Sequence, residues 1–432
     1  MSIAAPFLDT LIGPRDEAEP AWLGASRDAA RAGFAEAGFP TRRHEAWRFT
    51  ELKSLTGTSF APAPTLPGDA TVIGERLCRL LTHASRLVFV NGRFDPDHSH
   101  ICNNLPDGVF LGSFADWAAR NGEAAALFQR PVGALDAFRA LNLGLFTDGL
   151  ALVVPAGVTL DHPVHVLYWG EAADPASAQL KGLIRLGAGA EATVIETFTG
   201  TGRTWTNAAM SVEVADTAHL GHYRLQDEAL AAFHTGTLDV TIGTDAAYDG
   251  FTLSLGASMA RQDINAKLIG DRAFCGVSGV YLLAERQEST VATVIEHIAR
   301  DGRTKEVFKG CLADRSHGVF QGQIKVAQTA QKTDAYQLNK TILLSDRAVM
   351  DAKPELEIFA DDVKCSHGAT VGDLDETAEF YLRSRGIAPE QARAMLIEAF
   401  VVDAVELVGH EQARDYLTDA ISRWLAVRHP EK

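Results

Sequence analysis

The chain has 432 residues, 46% of them hydrophobic and 22% charged, which suits two or three folded domains around a large core and excludes a disordered chain. A net charge of −16 argues against broad contact with nucleic acid or with an anionic membrane surface. No apolar run approaches the roughly eighteen residues of a membrane span, and the N-terminus lacks a basic start followed by an apolar core, so the expected location is cytoplasmic.

Residues 1–145 read as an N-terminal helical and mixed region. Ser26 suits a helix N-cap, with Ala29, Ala30, Phe34 and Ala37 following it and Gly38 and Pro40 ending the segment. Pro62, Pro64 and Pro67 have linker chemistry. Residues 86–90 read as a strand ahead of an Asn91-Gly92 turn.

From 146 to 350 the texture changes to short alternating segments. They fall at 151–155, 164–168, 182–186, 192–198, 210–214, 220–225, 237–242, 251–255, 264–269, 278–283, 293–298 and 318–324, with Gly, Asp, Thr and Asn between them. No amphipathic helix interrupts the series. A solenoid, a sandwich and a propeller all satisfy such a pattern.

Residues 351–432 return to helical spacing after Gly372. Pro389 sits at a helix start; Ile397, Phe400, Val401, Ala404, Val405 and Val408 then follow a helical stripe that Gly409 ends. Leu417, Ala420, Ile421, Trp424 and Leu425 repeat the pattern, while Leu396, Ala399 and Val402 add a second apolar side. Both sides must be buried, against the chain's own domain or against a partner.

The five cysteines, at 78, 102, 275, 311 and 365, form no C-x-x-C pair, so the chain has neither a ferredoxin-type cluster motif nor a zinc ribbon. Cys78, Cys102, Cys275 and Cys311 lie in or near apolar runs and suit core positions, although Cys311 could instead line a channel through a solenoid. Cys365 and His367 differ. One residue apart in an extended run, they project from one face, and a thiolate beside an imidazole suits iron or zinc. Two donors do not close a tetrahedral site, and the next Cys or His downstream is His410. Either the pair is inert or its remaining ligands come from elsewhere, another chain included.

The loop Asp95-Pro-Asp-His-Ser-His100 reads as a hydrated turn, the alternative being a metal nest. His219 and His222 fall on opposite faces of a strand. Asp361-Asp362 reads as a solvated turn. No G-x-x-x-x-G-K-[ST] loop, G-x-S-x-G elbow or H-E-x-x-H pair is present, so the chain carries no nucleotide-hydrolysis, serine-hydrolase or zinc-protease motif.

The run Phe359-Ala-Asp-Asp-Val-Lys-Cys-Ser-His-Gly-Ala-Thr-Val-Gly372 resembles the C-terminal signature of the SufB/SufD family of iron–sulfur cluster assembly scaffolds. The likeness extends through residues 379–387, 351–358 and 337–345. Residues 42–50, with Trp47 and Phe49 as packing anchors, are similar to an element common in the SufD branch, and residues 140–155 to the opening of the family's β-helix. The single Cys in the signature and the chain length also resemble SufD. The resemblance implies a mainly β fold: a right-handed parallel β-helix flanked by N- and C-terminal helical regions. It implies a non-catalytic scaffold that pairs with a SufB paralogue through the Cys365–His367 region, with transient iron or an Fe–S cluster held there and His367 as the leading ligand. It implies that the SufC ATPase docks on the C-terminal helices, for which Leu396, Phe400, Val401, Leu417 and Trp424 are the candidate residues. A reduced flavin in the complex is a further candidate cofactor. Two other readings stand beside it: a SufB-like or homodimeric scaffold that builds clusters itself, and a β-solenoid carbohydrate-active enzyme.

Overall fold

The structure, a computed structural model, describes residues 4–13, 21–65, 73, 77, 79–128 and 137–428. Cys78 and Pro67 lie outside the described residues.

Its centre is a parallel β-solenoid of about 8 turns. The strands that build it are β1 (Ser85–Val90), β2 (Arg93–Phe94), β3 (Leu150–Val154), β4 (Val164–Leu186), β5 (Glu191–Val214), β6 (His219–Asp227), β7 (Phe233–Ile242), β8 (Ala247–Ser254), β9 (Met259–Leu268) and β10 (Phe274–Leu283). They continue as β11 (Glu288–His297), β12 (Arg303–Leu312), β13 (His317–Val326), β14 (Asp334–Leu343), β15 (Val349–Ile358) and β16 (Lys364–Gly372). From β6 onward consecutive strands do not pair; every second one does. One face stacks β6, β8, β10, β12, β14 and β16, the other β7, β9, β11, β13 and β15, all in parallel. Phe233 pairs with Met259 and His317 with Val349, so each turn takes roughly thirty residues.

One corner of the coil repeats a left-handed residue on every turn: Gly157, Gly189, Thr217, Asp245, Arg272, Asp301 and Lys332 all have φ between 55° and 72°. Their amides bond along the stack, Thr217 N–H to the Thr244 carbonyl and Asp245 N–H to the Asp271 carbonyl, both within 2.9 Å. The corner needs a reversal of the backbone that L-residues adopt at a cost, and here the stacked hydrogen bonds compensate.

Side chains alternate along each strand between the solenoid interior and its outer faces. Inward residues such as Leu220, Leu238, Val277, Tyr281, Phe308 and Phe320 form the main core. The outer surface of the first face, through Tyr223, Leu253, Val280, Leu282 and Cys311, packs on two C-terminal helices, α5 (Pro389–Val405) and α6 (Glu411–Arg428). They follow α4 (Glu376–Ser384), which buries none of its residues. The other face, through Trp205, Phe233 and Met259, is covered by the N-terminal helices α1 (Ala4–Leu11), α2 (Ala21–Ala37) and α3 (Ala137–Leu145) with Trp47 and Phe60. Trp47 is buried under the Arg261 guanidinium, 3.7 Å away.

Two expectations change. Ser26 does not cap a helix; α2 begins at Ala21, and the Ser26 hydroxyl donates back to the Trp22 carbonyl at 3.0 Å from inside it. The strands also run past residue 350, so residues 351–372, grouped above with the C-terminal region, complete the last rung of the solenoid.

The two ends of the solenoid differ. At the first, β1 and β3 pair with β4, while the β1–β2 hairpin and the antiparallel strand Phe110–Ser113 close the stack. At the second, among the described residues, β15 and β16 each have a strand neighbour on one side only. A solenoid end without a cap is a sheet edge with unpaired backbone groups.

Candidate functional site

The uncapped end is where Cys365 and His367 lie. Both are on β16, and Cys365 packs against the interior core, so odd-numbered residues of this strand face inward. Cys365 stands over Ala335 and His367 over Gln337. His367 is nonetheless exposed because no rung follows. Burial pushes the Cys365 thiol above its ordinary value; the Ala335 backbone opposes this and Asp334 adds to it.

Cys365 and His367, about 7 Å apart at the Cα atoms, are two potential donors, fewer than the four of a closed tetrahedral site. Across the same rung the inward residues of β15 are Met350, Ala352, Pro354, Leu356 and Ile358, of which only Met350 carries a donor atom, and its sulfur accepts from the Tyr281 hydroxyl at 3.6 Å. Among the described residues no group of three or more His, Cys, Asp or Glu could hold a metal ion.

The end carries what such a chain would cover. Phe359 is 61% exposed, and Val349, Val371, Ile358 and Tyr336 are also exposed. Pro354, which has no N–H, stands in β15, as prolines in sheets do at an edge. Sequence periodicity gave no sign of this apolar rim, because exposure here follows from the absence of a next turn.

The candidate docking residues divide. Val401, Leu417 and Trp424 are buried against the chain's own solenoid, and the Phe400 ring covers the Lys309 ammonium at 4.8 Å. Leu396 stays half-buried beside exposed Met395, and α4 leaves Phe380 and Tyr381 open.

Other candidates have local roles. In the 95–100 loop, Asp95 accepts from the Asp97 and His98 amides and sits 2.7 Å from His98 Nδ1, closing the turn on itself. His219 is exposed while His222 is interior, its Nε2 2.8 Å from Glu196 Oε2. Cys275 faces the interior; Cys311 faces the C-terminal helices and does not line the interior. Asp361 and Asp362 are exposed.

Residues 168–400 match the family model described as "SUF system FeS cluster assembly, SufBD core domain", and residues 15–166 match the SufBD protein N-terminal region. The chain belongs to the SufBD family. Within it, the iron–sulfur cluster assembly protein SufD of Escherichia coli is 30% identical over 398 residues, 90% of each chain. A SufBD family iron–sulfur cluster assembly protein of Synechocystis is 31% identical, covering 89% of this chain and 87% of the relative. Arabidopsis thaliana protein ABCI7, chloroplastic, is 28% identical over 96% of this chain and 88% of its own. As a SufD homologue the chain is an iron–sulfur cluster assembly protein, and this does not favour the carbohydrate-enzyme reading. Among the described residues no helix is long and apolar enough to cross a membrane.

Proposed function

We propose that this SufD homologue is a non-catalytic scaffold subunit that pairs end to end with a SufB paralogue. The observation that carries the reading is the uncapped last rung, which holds two soft or borderline donors on an inward face and an apolar rim around them. In this reading the partner's rung caps the solenoid and its side chains complete the coordination of iron or of a nascent cluster, which is cargo of the assembly. Half a site gains affinity only when the other half arrives, so subunit pairing and metal capture are coupled.

The SufC ATPase docks in this proposal on the outward side of the C-terminal helices, where Leu396, Met395, Phe380 and Tyr381 remain uncovered. Val401, Leu417 and Trp424 would support that surface from below by fixing α5 and α6 on the solenoid. A second copy of this rung would also bring two donors, and the SufB pairing is preferred here because the chain is a SufD homologue.

Co-expression with SufB and SufC, followed by size-exclusion chromatography with mass measurement, tests the pairing. Phe359→Asp should release SufB while leaving the chain folded and SufC still bound. A Phe359→Asp chain that still elutes with SufB in full yield contradicts pairing through this end.

A further inference from the structure

We propose that Gln337 is a positioning residue for His367: its side-chain carbonyl accepts the hydrogen of one imidazole nitrogen and thereby fixes which nitrogen is free for a metal. The inference deepens the reading of His367 as a ligand and rests on it.

Four observations carry it. Gln337 is fully buried and is the residue in register with His367, on the neighbouring strand about 4.8 Å away and on the same inward face. Its amide nitrogen donates to Glu306 Oε2 at 2.7 Å, and Thr293 Oγ1 donates to Glu306 Oε1 at 2.6 Å. The orientation of the Gln337 amide is therefore set from below: the carboxylate needs a donor and receives the NH2 group. Glu306 lies on β12, on the side away from β16, so the other arm of the planar amide, Oε1, turns away from β12. That oxygen is buried and makes no hydrogen bond among the described residues, His367 included, so the proposed bond forms when the exposed His367 ring turns toward it. A buried acceptor left unpaired is costly and uncommon. Finally, across the interior at 322 there is a glycine, and a Cβ there would overlap the Gln337 amide nitrogen. The opposite face has a gap where this carboxamide lies.

Metal-bound histidines commonly donate their other ring N–H to a carbonyl or carboxylate, which fixes the tautomer and orients the ring. Gln337 Oε1 is such an acceptor, held in place by a hydrogen-bonded chain that runs from Thr293 through Glu306. The inward side chains of β15 on the same rung, Met350, Ala352, Pro354, Leu356 and Ile358, offer no competing oxygen or nitrogen acceptor. The role is distinct from packing, because an isosteric apolar side chain would fill the same space and lose it.

The test uses the full chain labelled with 15N-histidine, with His367 assigned from the His367→Ala spectrum and ring nitrogens read under conditions where the imidazole is neutral. Wild type should show a single dominant tautomer at His367. Gln337→Met should shift the ring nitrogens toward the averaged values of a free imidazole. Gly322→Ala, which leaves residue 337 intact but displaces its amide, should do the same. Far-UV circular dichroism checks that both variants keep the solenoid. In the complex with SufB and SufC, cobalt(II) alone as probe should bind roughly 10- to 100-fold more weakly to Gln337→Met. Averaged shifts in wild type, or an unchanged tautomer in a folded Gln337→Met chain, overturn the proposal. Cobalt binding that ignores His367→Ala overturns the ligand reading instead, and the tautomer result then stands by itself.

Discussion

Glu306 lies wholly inside the solenoid, and burial pushes its carboxyl from the usual 4.5 up to about 7, against the bonds from Thr293 and Gln337 that favour the ionised form. A group with a raised folded value holds its proton more tightly folded than unfolded. Its stabilising share is complete below about pH 4.5 and is lost as the pH rises through about 7. Near pH 8 the loss is on the order of 3 kcal/mol. Glu306→Gln should therefore raise the unfolding free energy at pH 8 by a similar amount and change it little at pH 5, which denaturant titrations at the two pH values would show. An equal effect at both would place the cause in packing. Gly189 makes a second residue-scale case. It occupies the left-handed corner with φ of 66°, and a Cβ there would meet Thr217 Oγ1 at an ordinary 3.6 Å. Gly189→Ala should thus cost about 1 kcal/mol through the backbone alone. Thr217, Asp245 and Arg272 already bear that cost on the following turns.

The elements show why the solenoid holds α5 where it does. Lys309 projects outward from β12 with a side chain only 7% exposed, and its ammonium donates to the Phe400 carbonyl at 2.6 Å and to Asp403 at 2.7 Å. Asp403 is 73% exposed, so the carboxylate is screened and the carbonyl bond carries more. Lys309→Met should cost roughly 2 kcal/mol and speed amide exchange in α5, whereas Asp403→Ala should cost under about 1 kcal/mol. Strand legibility divides along the same chemistry. The β1–β2 hairpin was readable because Asn91-Gly92 follows a buried strand, and most strands from 150 to 326 follow apolar alternation. β12 and β14 escaped that pattern because their inward residues include Thr304, Glu306 and Gly310, and Gln337, Asn339 and Thr341. Polar residues paired inside a core erase the signal on which alternation depends. That Cys365 and His367 share a face followed from their spacing alone; that the face belongs to an open end did not, since strand count and capping arise only when the turns are stacked.

For the whole molecule, the asymmetry of the two ends is the feature on which the proposed function rests. The N-terminal hairpin and helices close one end and one face, and α5 and α6 close the other face. The remaining end has two bare strand edges, an apolar rim and the Cys365–His367 pair. The resemblance of residues 359–372 to the family signature located this segment, and family membership is carried by nearly the full chain. The apolar stripes of the C-terminal helices did not separate self-packing from docking, because Val401, Leu417 and Trp424 would look alike in either role. The most direct test is iron and acid-labile sulfide in the complex purified with SufB and SufC, comparing wild type with His367→Ala. Both should fall sharply in the variant while the complex stays intact. Full iron and sulfide in an intact His367→Ala complex would contradict it.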